Sequence, residues 1–513
     1  MVFPRKIKGF RDIDHGLNSL RWHIIEKATE IYKRFGFEHW DSPTLEYAET
    51  LGKYLPEADE VVDGVYSFKN PEIEPQFNDK GTELRDKSNN VLMTNHHLTM
   101  RYDLTAPLAR MYSELIWQKF MHNQVQEGKA DLFRRFQFGP VYRFEAKLDP
   151  GRFREFWQID FDTVGSDSVA TDAENCMILS DALENIGIKK GEYIIKLNNR
   201  KIIKGFLESI GVKSEQDADV MRVIDKLDKI GITGVTEELG KGRKDEKSGA
   251  FITGLGLNKK ISDGIEKFLV SFDTNQTRKK ILESLSSLKI DNEIYVQGLA
   301  ELLEIDAILE KTGYDEQTVI IDPSMIRGMG YYTGPIFEAE YLGTYKDAKG
   351  QKRKVGSICG GGRYDGLVEN LIGLKVPASG ASIGVDRLAE IMTLTGKVPQ
   401  LIDGPVFIVN FDDHLMPEYQ KIASDLRKEG LEVEIYYGAK KGLKQQLSYA
   451  DKKNCTLAII IGEDEFNKGV ATVKNLKLGK ELADKISDKK EWTSKVQKEI
   501  KVDKLVKEIQ KML

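Results

Sequence analysis

The segment RRFQFGPVYRFEAKLDPGRFREFWQIDFDTV, residues 134–164, decides how the rest of the chain is interpreted. Two runs of aromatic and apolar residues flank a polar loop with glycine and proline at residues 146–151, which predicts a β-hairpin. Successive side chains of a strand point to opposite faces. The second strand therefore has one apolar face, with Trp157, Ile159 and Phe161, and one polar face, with Arg154, Phe156, Gln158, Asp160 and Asp162.

The polar face of this hairpin has two interpretations. Antiparallel sheets often keep one face in water, where cross-strand charge pairs add a little stability. A phenyl ring on such a face is better explained if a flat ligand group covers it. A purine between Phe156 and a guanidinium, with phosphates on Arg143, would satisfy every group on this face.

The hairpin also carries a family resemblance. Residues 142–145 and 151–156, with Gln158 and Asp162, resemble motif 2 of class II aminoacyl-tRNA synthetases, and within that class the histidyl-tRNA synthetases. Other segments resemble the same family in the expected order: residues 20–43 (motif 1), 327–334 (the histidyl motif RGLDYYTG), 359–367 (a second histidyl signature) and 378–388 (motif 3). The sequence departs from the family at Gly330, where an acid is usual.

Composition sets the general class of the protein. A chain of 513 residues is too long for one core, and its 40% hydrophobic and 31% charged residues are typical of a globular protein of three or four domains. The formal charge of −5 gives no general nucleic-acid signal, so a tRNA partner would need local basic patches. Three scattered cysteines predict neither disulfides nor a metal site, and no apolar run predicts a signal peptide or membrane span. We expect a cytoplasmic protein with no membrane partner.

Local patterns predict the individual elements. Apolar periodicity predicts helices at residues 20–35 and 170–186, and short apolar runs predict strands at 37–43, 192–198 and 318–322. Residues 101–107 read as a short strand leading into a helix. Thr105 is predicted as the N-cap of that helix, and Asp103 as a carboxylate that needs a cation. The glycines of 360–362 are compatible with a tight turn.

The resemblance and the patterns together give the expected fold class, mixed α/β and α+β in several domains. We expect a class II antiparallel-sheet catalytic domain at 1–199 and 313–400, interrupted by a helical insertion at 200–312. Strands alternate with helices after Pro405, which predicts a largely parallel sheet. Residues 404–513 thus resemble the α/β anticodon-binding domain, with a helical tail from residue 481.

The resemblance implies a histidine–tRNA ligase that uses ATP and Mg²⁺ to activate L-histidine and transfers it to the 3′ end of histidine tRNA, as a homodimer. Catalysis would fall to Arg143 and Arg327. ATP would be bound by Arg143, Glu145, Arg152, Phe156 and Arg387. Histidine would be bound by Asp103, Thr105, Gln158, Asp162, Arg327, Tyr331, Tyr332 and Tyr364. No residue is predicted to hold a metal.

Two alternatives remain at this point. Synthetase-like paralogues act as regulatory subunits of ATP phosphoribosyltransferase, but they generally lack the C-terminal domain and intact ATP motifs. The prolyl or threonyl enzymes would share motifs 2 and 3 but not the two histidyl signatures. The loop at residues 146–150 also differs from the common bacterial form, and in this family that loop lies near the acceptor end of the tRNA. A changed requirement for the extra 5′ guanosine of histidine tRNAs is therefore a hypothesis that the sequence leaves open.

Overall fold

The computed structural model describes residues 2–52, 64–78, 80–94, 97–125, 130–144, 151–244, 249–326, 331–347, 349–399, 404–439, 442–483, 485–486 and 488–513. The predicted site residues Glu145 and Arg327, the departure from the family pattern at Gly330, and the loop at 146–150 lie outside this range. The chain forms two compact units, Met1–Pro399 and Gln400–Leu513. Each unit is described by itself.

The larger unit contains twelve described helices and fifteen described strands. The helices are α1 His15–Arg34, α2 Ala48–Gly52, α3 Thr105–Met121, α4 Ala170–Ile186, α5 Arg200–Ser209, α6 Asp217–Ile224, α7 Leu227–Leu239, α8 Lys259–Val270, α9 Arg278–Ser287, α10 Glu293–Thr312, α11 Glu369–Ile372 and α12 Val385–Leu394. The strands are β1 Glu38–His39, β2 Leu45–Tyr47, β3 Ser67–Lys69, β4 Glu74–Pro75, β5 Met93–Thr94, β6 His97–Met100, β7 Phe133–Tyr142, β8 Glu155–Val164, β9 Tyr193–Asn199, β10 Gly242–Lys244, β11 Phe251–Thr253, β12 Val319–Ile321, β13 Pro335–Lys346, β14 Lys352–Arg363 and β15 Ala378–Gly384.

An eight-stranded sheet organises this unit, in the order β1-β7-β8-β15-β14-β13-β9-β12. Its six central strands are antiparallel, and a parallel strand closes each end. Strands β7 and β8 pair over their full length, so the predicted hairpin is confirmed. The large antiparallel sheet agrees with the predicted fold class.

One face of the sheet is covered by helices. Tyr32 of α1 lies 4.8 Å from the ring of Phe161, and both side chains are buried. Ile159, on the same face of β8, is also buried. The apolar face predicted for β8 therefore packs on the core, and its polar face lies on the opposite side of the sheet.

Three local predictions for this unit were wrong or incomplete. Strand β6 ends at Met100, and residues 102–104 form bends because the chain turns there into α3. The predicted strand at 37–43 is paired only at Glu38–His39. The glycines of 360–362 lie inside strand β14, not in a turn. A side chain at Gly361 would overlap the backbone of Gly380, so close strand packing accounts for that glycine.

Residues 200–312 contain α5 to α10 and a two-stranded β10–β11 sheet. Helix α10 packs along α5 and α4. The domain limits drawn from the sequence stay predictions.

The smaller unit has a five-stranded sheet in the order β17-β16-β18-β19-β20. The strands are β16 Val406–Ile408, β17 Val433–Ile435, β18 Leu457–Ile460, β19 Val470–Asn475 and β20 Gln497–Lys501. The helices are α13 Met416–Lys428, α14 Leu443–Lys452, α15 Glu463–Asn467, α16 Leu476–Ala483, α17 Lys489–Val496 and α18 Leu505–Met512. Strands β17, β16 and β18 pair in parallel, whereas β18 with β19 and β19 with β20 pair antiparallel, so the sheet is mixed and not largely parallel as predicted. The tail was predicted as helix, but β20 interrupts it because Ile500 pairs with β19 and fills the core.

Candidate functional site

A cavity of about 410 Å³ opens on the polar face of the large sheet. Strands β8, β13, β14 and β15 and the bend before α3 contribute to its wall. Of the residues predicted to bind or react, those with a described position all line it: Asp103, Thr105, Arg143, Arg152, Phe156, Gln158, Asp162, Tyr331, Tyr332, Tyr364 and Arg387. For Glu145 and Arg327, which lie outside the described residues, the roles stay predictions.

The register of β8 builds the floor of the cavity. Gln158, Asp160 and Asp162 alternate with the buried residues of the opposite face, and Asp162 lies opposite Arg135 on β7 and Gly380 on β15. A Cβ at Gly380 would overlap the carboxylate of Asp162. Glycine at 380 is thus required for the carboxylate to occupy its place.

Asp103 has a structural partner that the sequence did not predict. Helix α3 begins at Thr105, and the Asp103 Oδ1 atom accepts hydrogen bonds from the backbone N–H groups of Thr105 (3.1 Å) and Ala106 (3.0 Å). The prediction of Thr105 as N-cap was therefore wrong: the N-cap position is Leu104, and the side chain of Asp103, one residue earlier, accepts from the first N–H groups of the helix. Asp103 also lines the cavity, so the residue contacts both the start of the helix and the cavity.

A fully buried arginine holds the second carboxylate. Arg135 is 0% exposed, and its Nη2 atom lies 3.0 Å from Asp162 Oδ2. The same nitrogen donates to the carbonyl of Leu104 at 2.7 Å, and Nη1 donates to Gln137 Oε1 at 3.0 Å. Arg135 therefore connects the floor of the cavity to the bend that carries Asp103. The sequence contained a signal for it: Arg135 and Gln137 are polar residues two apart on one face of a mostly apolar strand.

Three tyrosines close the same end of the cavity. The Tyr364 hydroxyl donates to Asp162 Oδ1, and the rings of Tyr331 and Tyr332 lie 5.0 Å apart. Burial raises the pKa of Tyr364 well above its ordinary value, and the neighbouring Asp162 carboxylate raises it further. Burial also raises the pKa of Asp162, against the opposing effect of Arg135. The tyrosine hydroxyls thus remain hydrogen-bond donors at neutral pH.

The other end of the cavity is cationic. Arg143, half-buried, places its guanidinium carbon 5.3 Å from the ring centre of Phe156 and donates from Nε to the carbonyl of Tyr102 at 3.1 Å. Arg387 in the first turn of α12 donates from Nη2 to the carbonyl of Val355 at 3.0 Å. With Arg152, these side chains form a wall suited to an anionic ligand such as a phosphate chain.

Asp386, the residue before Arg387, makes the contacts that hold this part of the cavity wall in place. Asp386 is fully buried and accepts from Arg21 Nη2 at 2.8 Å, from Arg11 Nη2 at 3.2 Å and from the backbone N–H of Trp157 at 2.6 Å. One carboxylate therefore joins α1, β8 and α12. These partners were not predicted from the sequence because they are more than 200 residues apart in the chain.

The cavity thus has carboxylates at one end and guanidinium groups at the other, which suits a ligand pair with a cationic and a polyanionic part. In the described part of the chain, no group of three or more His, Cys, Asp or Glu side chains is placed to hold a metal ion. None of the described helices is long and apolar enough to cross a membrane.

The chain is similar to known proteins along nearly its whole length. Residues 74–388 match the family model for histidyl-tRNA synthetase, and residues 405–512 match that for the anticodon binding domain. A curated histidine–tRNA ligase from Paracoccus denitrificans is 42% identical, over 99% of this chain and 97% of its own. One from Ruegeria sp. is 40% identical, over 99% of this chain and 95% of its own.

Solved structures give the same result for the fold. A crystal structure of histidyl-tRNA synthetase from Nostoc sp. is similar with a TM-score of 0.70 and 26% identity, over 100% of both chains. A structure from Bacillus halodurans, described as an ATP phosphoribosyltransferase regulatory subunit/histidyl-tRNA synthetase, has a TM-score of 0.61 and 20% identity over 89% of this chain and 98% of its own, and supports the fold alone.

Proposed function

The chain belongs to the histidyl-tRNA synthetase family, and from that premise we propose which substrate each residue of its cavity binds. The reaction is the ATP-dependent activation of L-histidine to histidyl-adenylate, followed by transfer of the histidyl group to histidine tRNA. The observation that carries the assignment of residues is the polarity of the cavity, with carboxylates at one end and guanidinium groups at the other.

The carboxylate end would bind histidine. Asp103, Thr105 and Gln158 would contact the α-ammonium group, and Asp162 with Tyr331 or Tyr332 would hydrogen-bond the two ring nitrogens. Asp162 suits this role because Arg135 and Tyr364 already fix its orientation. A buried acid and a phenol on either side of the imidazole would reject analogues that leave either group unpaired.

The guanidinium end would bind ATP. Phe156 would stack on the adenine ring, Glu145 would accept from its amino group, and Arg152 and Arg387 would hold the γ-phosphate. The histidine carboxylate attacks the α-phosphorus in line and pyrophosphate leaves. Arg143 and Arg327 would neutralise the negative charge that develops there. The protein's contribution is thus positioning and charge stabilisation, with no covalent intermediate on a side chain.

We propose Mg²⁺ as the ion that accompanies ATP. Glu338 of β13 lines the cavity and supplies the carboxylate oxygen that this ion prefers. Phosphate oxygens and water would provide its other ligands, and the ion would offset charge on the pyrophosphate leaving group. Glu338 was not predicted from the sequence, where it falls in an ordinary alternating strand.

The remaining partners are proposed from the family. The smaller unit would read the anticodon of histidine tRNA; residues 405–513 are only slightly basic, about +3, so readout would rest on few contacts. We propose a homodimer, as the motif 1 segment implies. The three cysteines are free and buried, which fits a reducing compartment such as the cytoplasm.

The test of this proposal is ATP–pyrophosphate exchange on the purified chain with each standard amino acid in turn. We expect exchange with histidine alone, followed by charging of histidine tRNA. Exchange with another amino acid would overturn the roles given to Asp162, Tyr331, Tyr332 and Tyr364. Binding of histidine without any exchange would favour a regulatory paralogue. A multi-angle light-scattering mass near 58 kDa would contradict the homodimer.

A further inference from the structure

Asp160 is a buried carboxylate on the cavity wall that the mechanism above does not use. It lies on β8 between Gln158 and Asp162, on the same face, and is 2% exposed. Its Oδ1 atom has no hydrogen-bond partner among the described residues. A buried carboxylate oxygen without a donor is costly, so its retention at this position calls for a ligand.

The other two carboxylates of this wall have backbone or guanidinium partners, whereas Asp160 has a hydrogen bond from the Ser382 hydroxyl. Asp103 accepts from two backbone N–H groups of α3, and Asp162 accepts from Tyr364 and faces Arg135. Burial raises the pKa of Asp160 to about 7, and the nearby charge of Asp162 adds to the effect. A hydrogen bond from Ser382 and the charge of Arg135 oppose this shift. Among the described residues, Asp160 is the one of the three carboxylates that has neither a backbone N–H donor nor an arginine in an ion pair.

A second unpartnered acceptor lies beside it. Gln158 donates from Nε2 to the Ser382 hydroxyl at 2.8 Å, which leaves its buried Oε1 atom without a partner in the described structure. The residues that carry these two buried acceptors are two positions apart on one strand face, and both residues line the cavity. An ammonium group has three donors and a full positive charge, whereas an imidazole N–H offers one donor. The pair thus matches an ammonium better than a ring.

We propose that Asp160 is a substrate-binding residue whose carboxylate, with Gln158 Oε1, accepts hydrogen bonds from the α-ammonium group of histidine. This inference rests on the proposed function. It makes Asp160 the anionic partner of the amine, while Asp103 mainly holds the start of α3. Selection for α-amino acids over deaminated analogues would then depend on Asp160.

The test compares two ligands on matched variants. Asp160→Asn keeps the shape and removes the charge. Asp181→Asn is the control, since Asp181 accepts from the Tyr314 hydroxyl at 2.7 Å away from the cavity. Affinity for L-histidine is measured by titration calorimetry. Affinity for 3-(imidazol-4-yl)propionate, which lacks the amine, is measured by ligand-detected NMR.

We expect Asp160→Asn to weaken histidine binding by about 10- to 100-fold, the usual effect of losing a hydrogen bond to a charged group. Binding of the amine-free analogue should change by less than about twofold, and Asp181→Asn should match the wild type for both ligands. Equal weakening of the two ligands, or unchanged histidine binding with the fold intact, would overturn the assignment of Asp160. A wild-type protein that did not bind histidine would contradict the proposed function itself.

Discussion

Removal of the Asp160 charge should stabilise the free protein, and the effect should grow with pH. Burial and the Asp162 carboxylate raise the pKa of Asp160 from an ordinary 3.8 to about 7, although Arg135 and a hydrogen bond from Ser382 oppose the shift. Asp103 adds a further repulsion. Between these two pKa values the unfolded chain releases a proton that the folded chain retains, so folding stability falls as pH rises through this interval.

The size of the effect follows from the shift. Each pKa unit corresponds to about 1.4 kcal/mol, so ionised Asp160 destabilises the fold by about 4 kcal/mol above pH 7. At pH 5 the folded state still holds the proton, and only about a third of this penalty is present. Asp160→Asn carries no charge at any pH. The difference between its free energy of unfolding and that of the wild type should therefore increase by about 3 kcal/mol between pH 5 and pH 8.

Urea unfolding followed by tryptophan fluorescence would measure this difference. Four of the five tryptophans, Trp22, Trp40, Trp117 and Trp157, belong to the larger unit, so the signal mainly reports its unfolding. Asp167→Asn, at an exposed site just beyond β8, is the matched control and should show no pH-dependent difference. An Asp160→Asn curve that kept a constant offset from wild type at both pH values would refute the burial of an uncompensated carboxylate here.

Four other changes test the rest of the cavity. Arg135→Met should cost about 3–5 kcal/mol in urea unfolding because it leaves Asp162 buried without its cation, and Asp162→Asn in the same chain should restore part of the loss. Gly380→Ala should raise KM for histidine at least about tenfold, with little change for ATP, because its methyl group displaces Asp162. Arg387→Ala should raise KM for ATP in pyrophosphate exchange and leave histidine binding in calorimetry unchanged; weakened histidine binding would contradict its placement at the phosphate end. Arg327→Ala should lower adenylate formation by about two to three orders of magnitude with an unchanged circular dichroism spectrum, and near-normal exchange would exclude the role given to it.

The sequence predicted the elements whose pattern is local. Helix α4 was predicted with its observed limits, and the faces of β8 followed from alternation, since one face of that strand must pack on α1. The family resemblance of the motifs implied which residues surround one cavity. The helix and strand inferences needed only periodicity along the chain.

The missed features depend on contacts between distant segments. The ion pair between Arg21 and Asp386 joins residues 365 positions apart in the chain. The pairing of Arg135 with Asp162 depends on the register of strands β7 and β8. The capping role of Asp103 depends on the end of β6 at Met100, which pairing with β2 and β3 determines. A single sequence contains the residues for these contacts but not the register that brings them together.

The charge balance of the cavity floor connects its stability to its function. Asp103, Asp160 and Asp162 line the same cavity. Among the described residues, Arg135 is the cation that forms an ion pair with one of these carboxylates, that of Asp162. Two backbone donors bind Asp103, and Arg135 and Tyr364 bind Asp162, whereas the Oδ1 atom of Asp160 has no donor among the described residues. The three carboxylates thus carry more negative charge than this one arginine can offset. In the free protein a proton relieves this excess near neutral pH. An α-ammonium group would relieve it by an ion pair, so the same buried charge that weakens the empty fold strengthens the complex with an amino acid.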